Sequence, residues 1–377
     1  MQPILLNILL SAALAFLVTF FAIPVIIQVA KDKKLFDEPD ERKVHKNVIP
    51  TLGGLGIFAG FIIATLMGVP SGITSELQYF AAAATVIFFL GIKDDILILS
   101  ASKKFIGQLI AAGIIIKFGG VHIDNMYGFL GIHQIPREAS IILSIFTIIV
   151  ITNSFNLIDG VDGLAGSLGL LTTLVFGIYF FYAGKSTYAV MAFALSGSTM
   201  GFLLYNYSPA KIFMGDTGSL LLGLVNSILV IQFINVAGSA SSFPLESAPA
   251  IGVAILMIPL FDTLRVFGMR ILDRRSPFSP DRSHVHHFLL DLGFSHRMIT
   301  ITCVTVNIGF ITLAYFLRHM GTTTVLCILM LTAFVFVGVI YFSRAKTKAA
   351  MNERIANAGI IKSHKILSLA SEAVEAD

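Results

Sequence analysis

The sequence predicts an all-α, polytopic integral membrane protein with about eleven transmembrane helices, its N-terminus outside and its C-terminus cytoplasmic. Three observations predict it. Of 377 residues, 56% are hydrophobic and only 13% are charged, whereas a soluble domain carries about 25% charged residues. The apolar residues gather into runs close to the ~20 residues that cross a bilayer. The Lys and Arg residues fall between those runs rather than along one basic face, so the charge reads as topology, and nucleic acid is not among the expected partners.

The first run, 4–30, has neither a basic lead-in nor a small-residue cleavage pattern and reads as a retained helix rather than a signal peptide. The others are 51–69, 78–92, 104–118, 139–153, 164–183, 188–205, 218–236, 249–270, 298–317 and 322–342. With the N-terminus outside, all but four of the 26 Lys and Arg face the cytoplasm, the exceptions being Lys117, Arg137, Lys185 and Arg318. Cytoplasmic loops carry the Lys/Arg excess, so this orientation is favoured over its inverse. Residues 1–343 read as one transmembrane domain and 344–377 as a cytoplasmic tail with no assigned chemistry. Cys303 and Cys327 lie in consecutive antiparallel runs at opposite depths, which excludes a disulfide and makes both buried small apolar residues. Neither a fixed repeat nor a pair of inverted halves is visible.

Five carboxylates converge on the inner face. Asp94 and Asp95 end the third run, Asp159 and Asp162 follow the fifth in Asn153–Gly163, and Asp216 precedes the eighth in Phe213–Ser219. Each alone suits a helix cap. Together, in a chain so poor in charge, they indicate a site, because ionisable groups near hydrocarbon are costly unless paired or working. Adjacent carboxylates need a cation, and an Asp/Asn oxygen set selects a hard one, Mg2+ or Mn2+. The glycines beside them, in Gly160-Val161-Asp162-Gly163 and Gly215-Asp216-Thr217-Gly218, are expected to let backbone and helix-start N–H groups approach a phosphorylated ligand. No Gly-Lys-Ser/Thr follows, so this is no P-loop. In the last inner loop, Asp281-Arg282-Ser283-His284-Val285-His286-His287 sits near Arg265 and Arg270. It lacks Cys and any His-Glu-x-x-His pattern, and suits diphosphate better than zinc.

These residues resemble the polyprenyl-phosphate N-acetylhexosamine-1-phosphate transferases, from about Phe36 to Arg297, in five blocks in family order. The blocks are Arg42-Lys43-Val44-His45 with Pro50–Gly54; Asp94–Ser100; Asn153–Gly163; Asn206–Ser219; and Asp281–His287. The form Asp-Arg-x-His-x-His-His is similar to the bacterial undecaprenyl-phosphate N-acetylglucosamine-1-phosphate branch rather than the muramoyl-pentapeptide branch. One departure is Ile98, where relatives often carry an acidic residue or Lys.

The resemblance implies Mg2+, or Mn2+ in its place, at Asn156 and Asp216. It implies Asp94, Asp95 and Asp159 as catalytic carboxylates, with Asp162, Asn206 and Phe213 around the uridine. Arg282, His284, His286 and His287 would hold the diphosphate-sugar, and Lys43 and His45 are further substrate-binding candidates. It also implies a multi-pass protein of the bacterial cytoplasmic membrane acting on UDP-N-acetylglucosamine and undecaprenyl phosphate within the lipid bilayer, with room for a homodimer. The surface glycan served, lipopolysaccharide or teichoic acid among others, is left open, and so is the choice between direct attack by the lipid phosphate and a covalent carboxylate intermediate. An ion-coupled transporter is the competing class, but its sites usually lie near the midplane rather than at the inner ends of spans.

Overall fold

The computed structural model describes residues 2–33, 49–69, 76–97, 99–238, 243–276 and 283–347. Its helices are α1 (Gln2–Asp32), α2 (Gly53–Gly68), α3 (Leu77–Leu97), α4 (Ala101–Lys117), α5 (Arg137–Ile158), α6 (Leu164–Tyr182) and α7 (Ser186–Asn206). They continue with α8 (Gly215–Ala237), α9 (Ala248–Ile255), α10 (Met257–Leu272), α11 (Val285–Asp291), α12 (His296–Leu317) and α13 (Thr322–Thr347). Among the described residues, seven helices are long and apolar enough to cross a membrane, or eight if the bent pair α9–α10 is one span. The protein is therefore a polytopic α-helical membrane protein. All but one of the sequence-predicted runs correspond to a single helix, the run 249–270 corresponding to α9 and α10, and α2, α3 and α4 fall outside that count.

Helix α8 is the hub. It is buried along nearly its whole length and packs against α2, α3, α5, α6 and α9, while α1 lies across α2 and α7. Large apolar side chains such as Phe21, Phe89, Phe146, Leu331 and Phe342 remain exposed around the bundle, as lipid-facing surface requires.

Three expectations need correction. The run 249–270 is not one straight helix, because α9 and α10 meet at 86°. Pro259 is the cause, since it has no N–H for the carbonyl of Ile255 and its ring would clash there. Asn307 of α12 heals the break: its side chain donates to Ile255 O at 2.9 Å and accepts from Ile258 N at 3.0 Å. The chain is also not purely helical, since Asn125–Phe129 and Ile132–Gln134 form an antiparallel hairpin. Thr322 and Thr323 at the start of α13 bind its backbone. Finally, both cysteines are free, but only Cys303 is buried and Cys327 is exposed on α13.

Candidate active site

The carboxylates meet because the C-terminal ends of α3 and α5 and the N-terminal ends of α4 and α8 lie at one end of the bundle. The approach is close enough to require glycine. A Cβ at Gly54 would lie 2.2 Å from Gly218 N, and one at Gly91 would lie 2.4 Å from Thr217 Cα. Gly215 has φ +71°, and a Cβ there would meet Thr51 O at 2.1 Å. The segment before α2 is stitched to the turn before α8: Phe213 N donates to Pro50 O (2.7 Å), Gly53 N to Phe213 O (2.9 Å) and Gly54 N to Met214 O (2.8 Å).

The adjacent carboxylates divide the work. Asp95 accepts from Asp216 N at 2.7 Å, Thr217 N at 3.1 Å and Thr217 Oγ1 at 2.5 Å, and so caps the start of α8 from another helix. This corrects the sequence expectation for the Gly215–Gly218 turn. Its glycines admit protein backbone, and its first N–H groups already hold a carboxylate rather than awaiting a phosphate. Asp94 accepts from Leu99 N at 2.5 Å and pairs with Lys104 of α4. Lys104 Nζ also lies 2.7 Å from Asp216 Oδ2, and Asn156 Nδ2 donates to the other Asp216 oxygen at 2.8 Å and to Ser219 Oγ at 3.1 Å. Asp94, Lys104, Asp216 and Asn156 thus form one connected cluster.

Asp159, just past α5, lies near this cluster. Withdrawal from water, reinforced by the charges of Asp216, Asp95 and Asp162, pushes its carboxyl up to about 8. Asp162 is buried and committed elsewhere, accepting from Ala210 N at 3.1 Å and lying 3.2 Å from His296 Nδ1. Asn206 is buried too, accepting from Gly163 N and donating to Ile212 O, both at 2.9 Å. Asp162 and Asn206 therefore shape the turns around half-buried Phe213.

The histidines have different surroundings. His284 is buried, with Nδ1 2.8 Å from Asp262 Oδ2. His286 is buried against Gly160, where a Cβ would approach its Nε2 to 2.6 Å. Burial, with the His287 charge next, pushes the His286 imidazole down to about 3, so it is neutral at neutral pH. His287 is half-buried, its ring centroid 4.3 Å from that of His286. Arg265, expected to meet diphosphate, instead donates to Asp262 Oδ1 (2.8 Å) and Ser283 O (2.5 Å). Lys43, His45 and Arg282 lie outside the described residues.

Beside the cluster lies a polar cleft of about 280 Å3, lined by Lys104, Gln108, Asn153, Asn156, Phe267 and Arg270 among others. Gln108 and Asn153 hold each other, Asn153 Nδ2 donating at 2.8 Å. Sequence reading counted Lys104 only as a topology charge and passed over Gln108 and Asp262. Asp262 did carry a signal, a carboxylate inside an apolar run with Arg three residues on.

Residues 77–234 match glycosyl transferase family 4. A probable undecaprenyl-phosphate N-acetylglucosaminyl 1-phosphate transferase of Bacillus subtilis (strain 168) is 36% identical over 315 residues, 81% of this chain and 83% of that protein. The chain belongs to glycosyl transferase family 4. A decaprenyl-phosphate N-acetylglucosaminephosphotransferase of Mycobacterium leprae (strain TN) is 33% identical over 76% of this chain and 78% of its own. An undecaprenyl-phosphate alpha-N-acetylglucosaminyl 1-phosphate transferase of Escherichia coli O157:H7 is 28% identical over 82% and 84%.

The residues present fit the divalent metal that this family implies. Asn156 and Asp216 touch, and an ammonium group bridges Asp216 to Asp94, so the spot is one that positive charge stabilises. Among the described residues no three His, Cys, Asp or Glu form a cage. An open set of oxygen ligands completed by substrate phosphates is how Mg2+ is usually held in phosphoryl transfer.

Proposed function

We propose that this chain transfers N-acetylglucosamine 1-phosphate from UDP-N-acetylglucosamine to undecaprenyl phosphate, releasing UMP at the cytoplasmic face of a bacterial inner membrane. The observation that carries the proposal is how two clefts share their walls. The polar cleft takes Asn153, Asn156 and Leu157 from α5 and Phe267 and Arg270 from α10. An apolar cavity of about 200 Å3 takes Phe146, Val150 and Ile151 from α5 and Leu260 and Leu264 from α10, with Val230, Ile234 and Val253 opposite. On each helix the two sets follow one another at helical spacing, so a polar head and an apolar tail would lie along one continuous surface. A phosphate on a long prenyl chain has that shape.

The basic asymmetry of the sequence supports eleven crossings with the carboxylate end cytoplasmic, where UDP-sugars are found. Transfer requires a bond from a lipid phosphate oxygen to the β-phosphorus of the donor, and loss of the bond from that phosphorus to the bridging oxygen, which leaves with UMP. A phosphate monoester, with a second pKa near 6, is mostly dianionic at pH 7 and attacks without a protein base. Direct attack is therefore the mechanism we favour. Lys104 and Arg270 line the cleft and bring positive charge to the phosphates. Asp94 orients Lys104, and Asp95 fixes the helix start that presents Asp216. Asn156 and Asp216 would hold a hard divalent cation, which would neutralise charge on the transferred group.

The donor is proposed to be UDP-N-acetylglucosamine rather than its muramoyl-pentapeptide counterpart, since the His284–His287 segment is like the former branch. UMP release by the purified protein, with either donor and with or without undecaprenyl phosphate, tests this. Release that needs the lipid and favours UDP-N-acetylglucosamine supports the proposal. Release favouring the pentapeptide donor overturns the branch, and none with either donor overturns the activity.

A further inference from the structure

The histidine segment is carried by α11, a helix too short to place itself in the bundle. What holds it comes from other elements. On α10, Asp262 is buried and accepts from Val285 N at 3.1 Å, while its other oxygen lies 2.8 Å from His284 Nδ1. Arg265, one turn on, completes the contact through Asp262 Oδ1 and Ser283 O. At the far end of α11, Arg344 pairs with Asp291, and the Phe288 ring lies between Arg344 (4.6 Å) and Arg265 (5.4 Å). The His284 and His286 rings stack at 5.7 Å and 7°, and His286 rests on Gly160 of the loop between Asp159 and Asp162. A chain of contacts therefore runs from Asp262 through two imidazoles to the carboxylate loop.

We infer that Asp262 is the positioning residue of the sugar-donor side of the site. By engaging Nδ1 of His284 it fixes the ring and leaves Nε2 as the pole available to a ligand, and with Arg265 it sets where α11 begins. Asp262 does not touch the donor itself. The inference rests on the proposed role of the histidine segment in holding the diphosphate-sugar, and predicts that Asp262 affects donor binding through His284 and the start of α11 that carries it.

The test compares Asp262→Asn, His284→Asn and the double variant in the full chain, purified in lipid nanodiscs, with saturation curves for each substrate. Each single variant is expected to raise the KM for UDP-N-acetylglucosamine about tenfold and leave that for undecaprenyl phosphate within about twofold. The double variant should be no worse than His284→Asn, because residues that act as a unit are not additive. Additive losses, or equal shifts in both KM values, would mean that Asp262 merely supports the fold, and the inference would fall. Asp262→Asn leaves Arg265 without its charge partner, so if that variant does not fold, Asp262→Asn/Arg265→Gln replaces it with the same expectations. A His284→Asn enzyme with an unchanged donor KM would overturn the histidine reading itself. A shift with His284→Asn but none with Asp262→Asn would overturn the positioning role alone.

Discussion

Asp94 and Asp95 adjoin in sequence, yet their replacement should have different consequences. Asp95→Asn removes the charge from a group that accepts three hydrogen bonds at the start of α8, at 2.7, 3.1 and 2.5 Å. An amide in its place keeps one acceptor oxygen and turns an NH2 toward a donor. Loss of an N-cap costs about 0.5–2 kcal/mol, and hydrogen bonds to charged groups contribute about 1.5–3 kcal/mol each. Asp95 is partly open to solvent, which argues for the lower end, about 2 kcal/mol in all. Because α8 is the hub of the bundle, that loss should appear as a lower midpoint of thermal inactivation, together with lost turnover as Asp216 shifts. Asp94→Asn keeps an oxygen to accept from Leu99 N but removes a charge partner of Lys104, and should abolish most turnover while the midpoint moves less than for Asp95→Asn. Thermal inactivation followed by size-exclusion chromatography in detergent, alongside UMP release, measures both. Equal midpoints for the two variants would refute the division of labour.

Lys104→Met should lower turnover by a factor of about 100 or more, as loss of a preorganised charge at a transferred group does, and a near-normal rate would remove Lys104 from the mechanism. Asp216→Asn should abolish turnover in a folded protein, and chelation should inhibit the wild type until Mg2+ or Mn2+ is restored; activity in excess chelator would contradict the metal reading. His286 is held neutral with a pKa of about 3, whereas the unfolded chain's imidazole titrates near 6.5. The unfolded state thus binds the extra proton below about pH 6.5, so the wild type should lose about 1.4 kcal/mol per pH unit relative to His286→Asn as pH falls from there. Parallel stability curves from pH 7 to pH 5 would show that the ring is not held neutral. Labelling of intact cells should reach Asn125→Cys in the hairpin but not Ser283→Cys ahead of α11; the reverse pattern would invert the topology.

Much of the fold was legible because hydrophobic runs and basic loops are set by the bilayer rather than by distant contacts. The carboxylate cluster was legible for the same reason: Asp94, Asp95, Asp159 and Asp216 stand out against apolar runs. The use of each group was not, since it depends on what another helix brings. Asp95 was legible as a carboxylate of the site, but not as the acceptor of two N–H groups at the start of α8. Lys104 looked like a topology marker until α4 packed it between Asp94 and Asp216. The bend at Pro259 could have been read locally, but its repair by Asn307 could not.

The most direct test of the central claim follows the β-phosphorus of the donor. Purified protein in nanodiscs with undecaprenyl phosphate would receive UDP-N-acetylglucosamine carrying 32P only in the β-phosphate. Transfer of the sugar 1-phosphate predicts that the label enters the lipid fraction while unlabelled UMP is released in equal amount. Label that remains in released UDP, or an unlabelled glycolipid, would show transfer of the sugar alone and contradict the account.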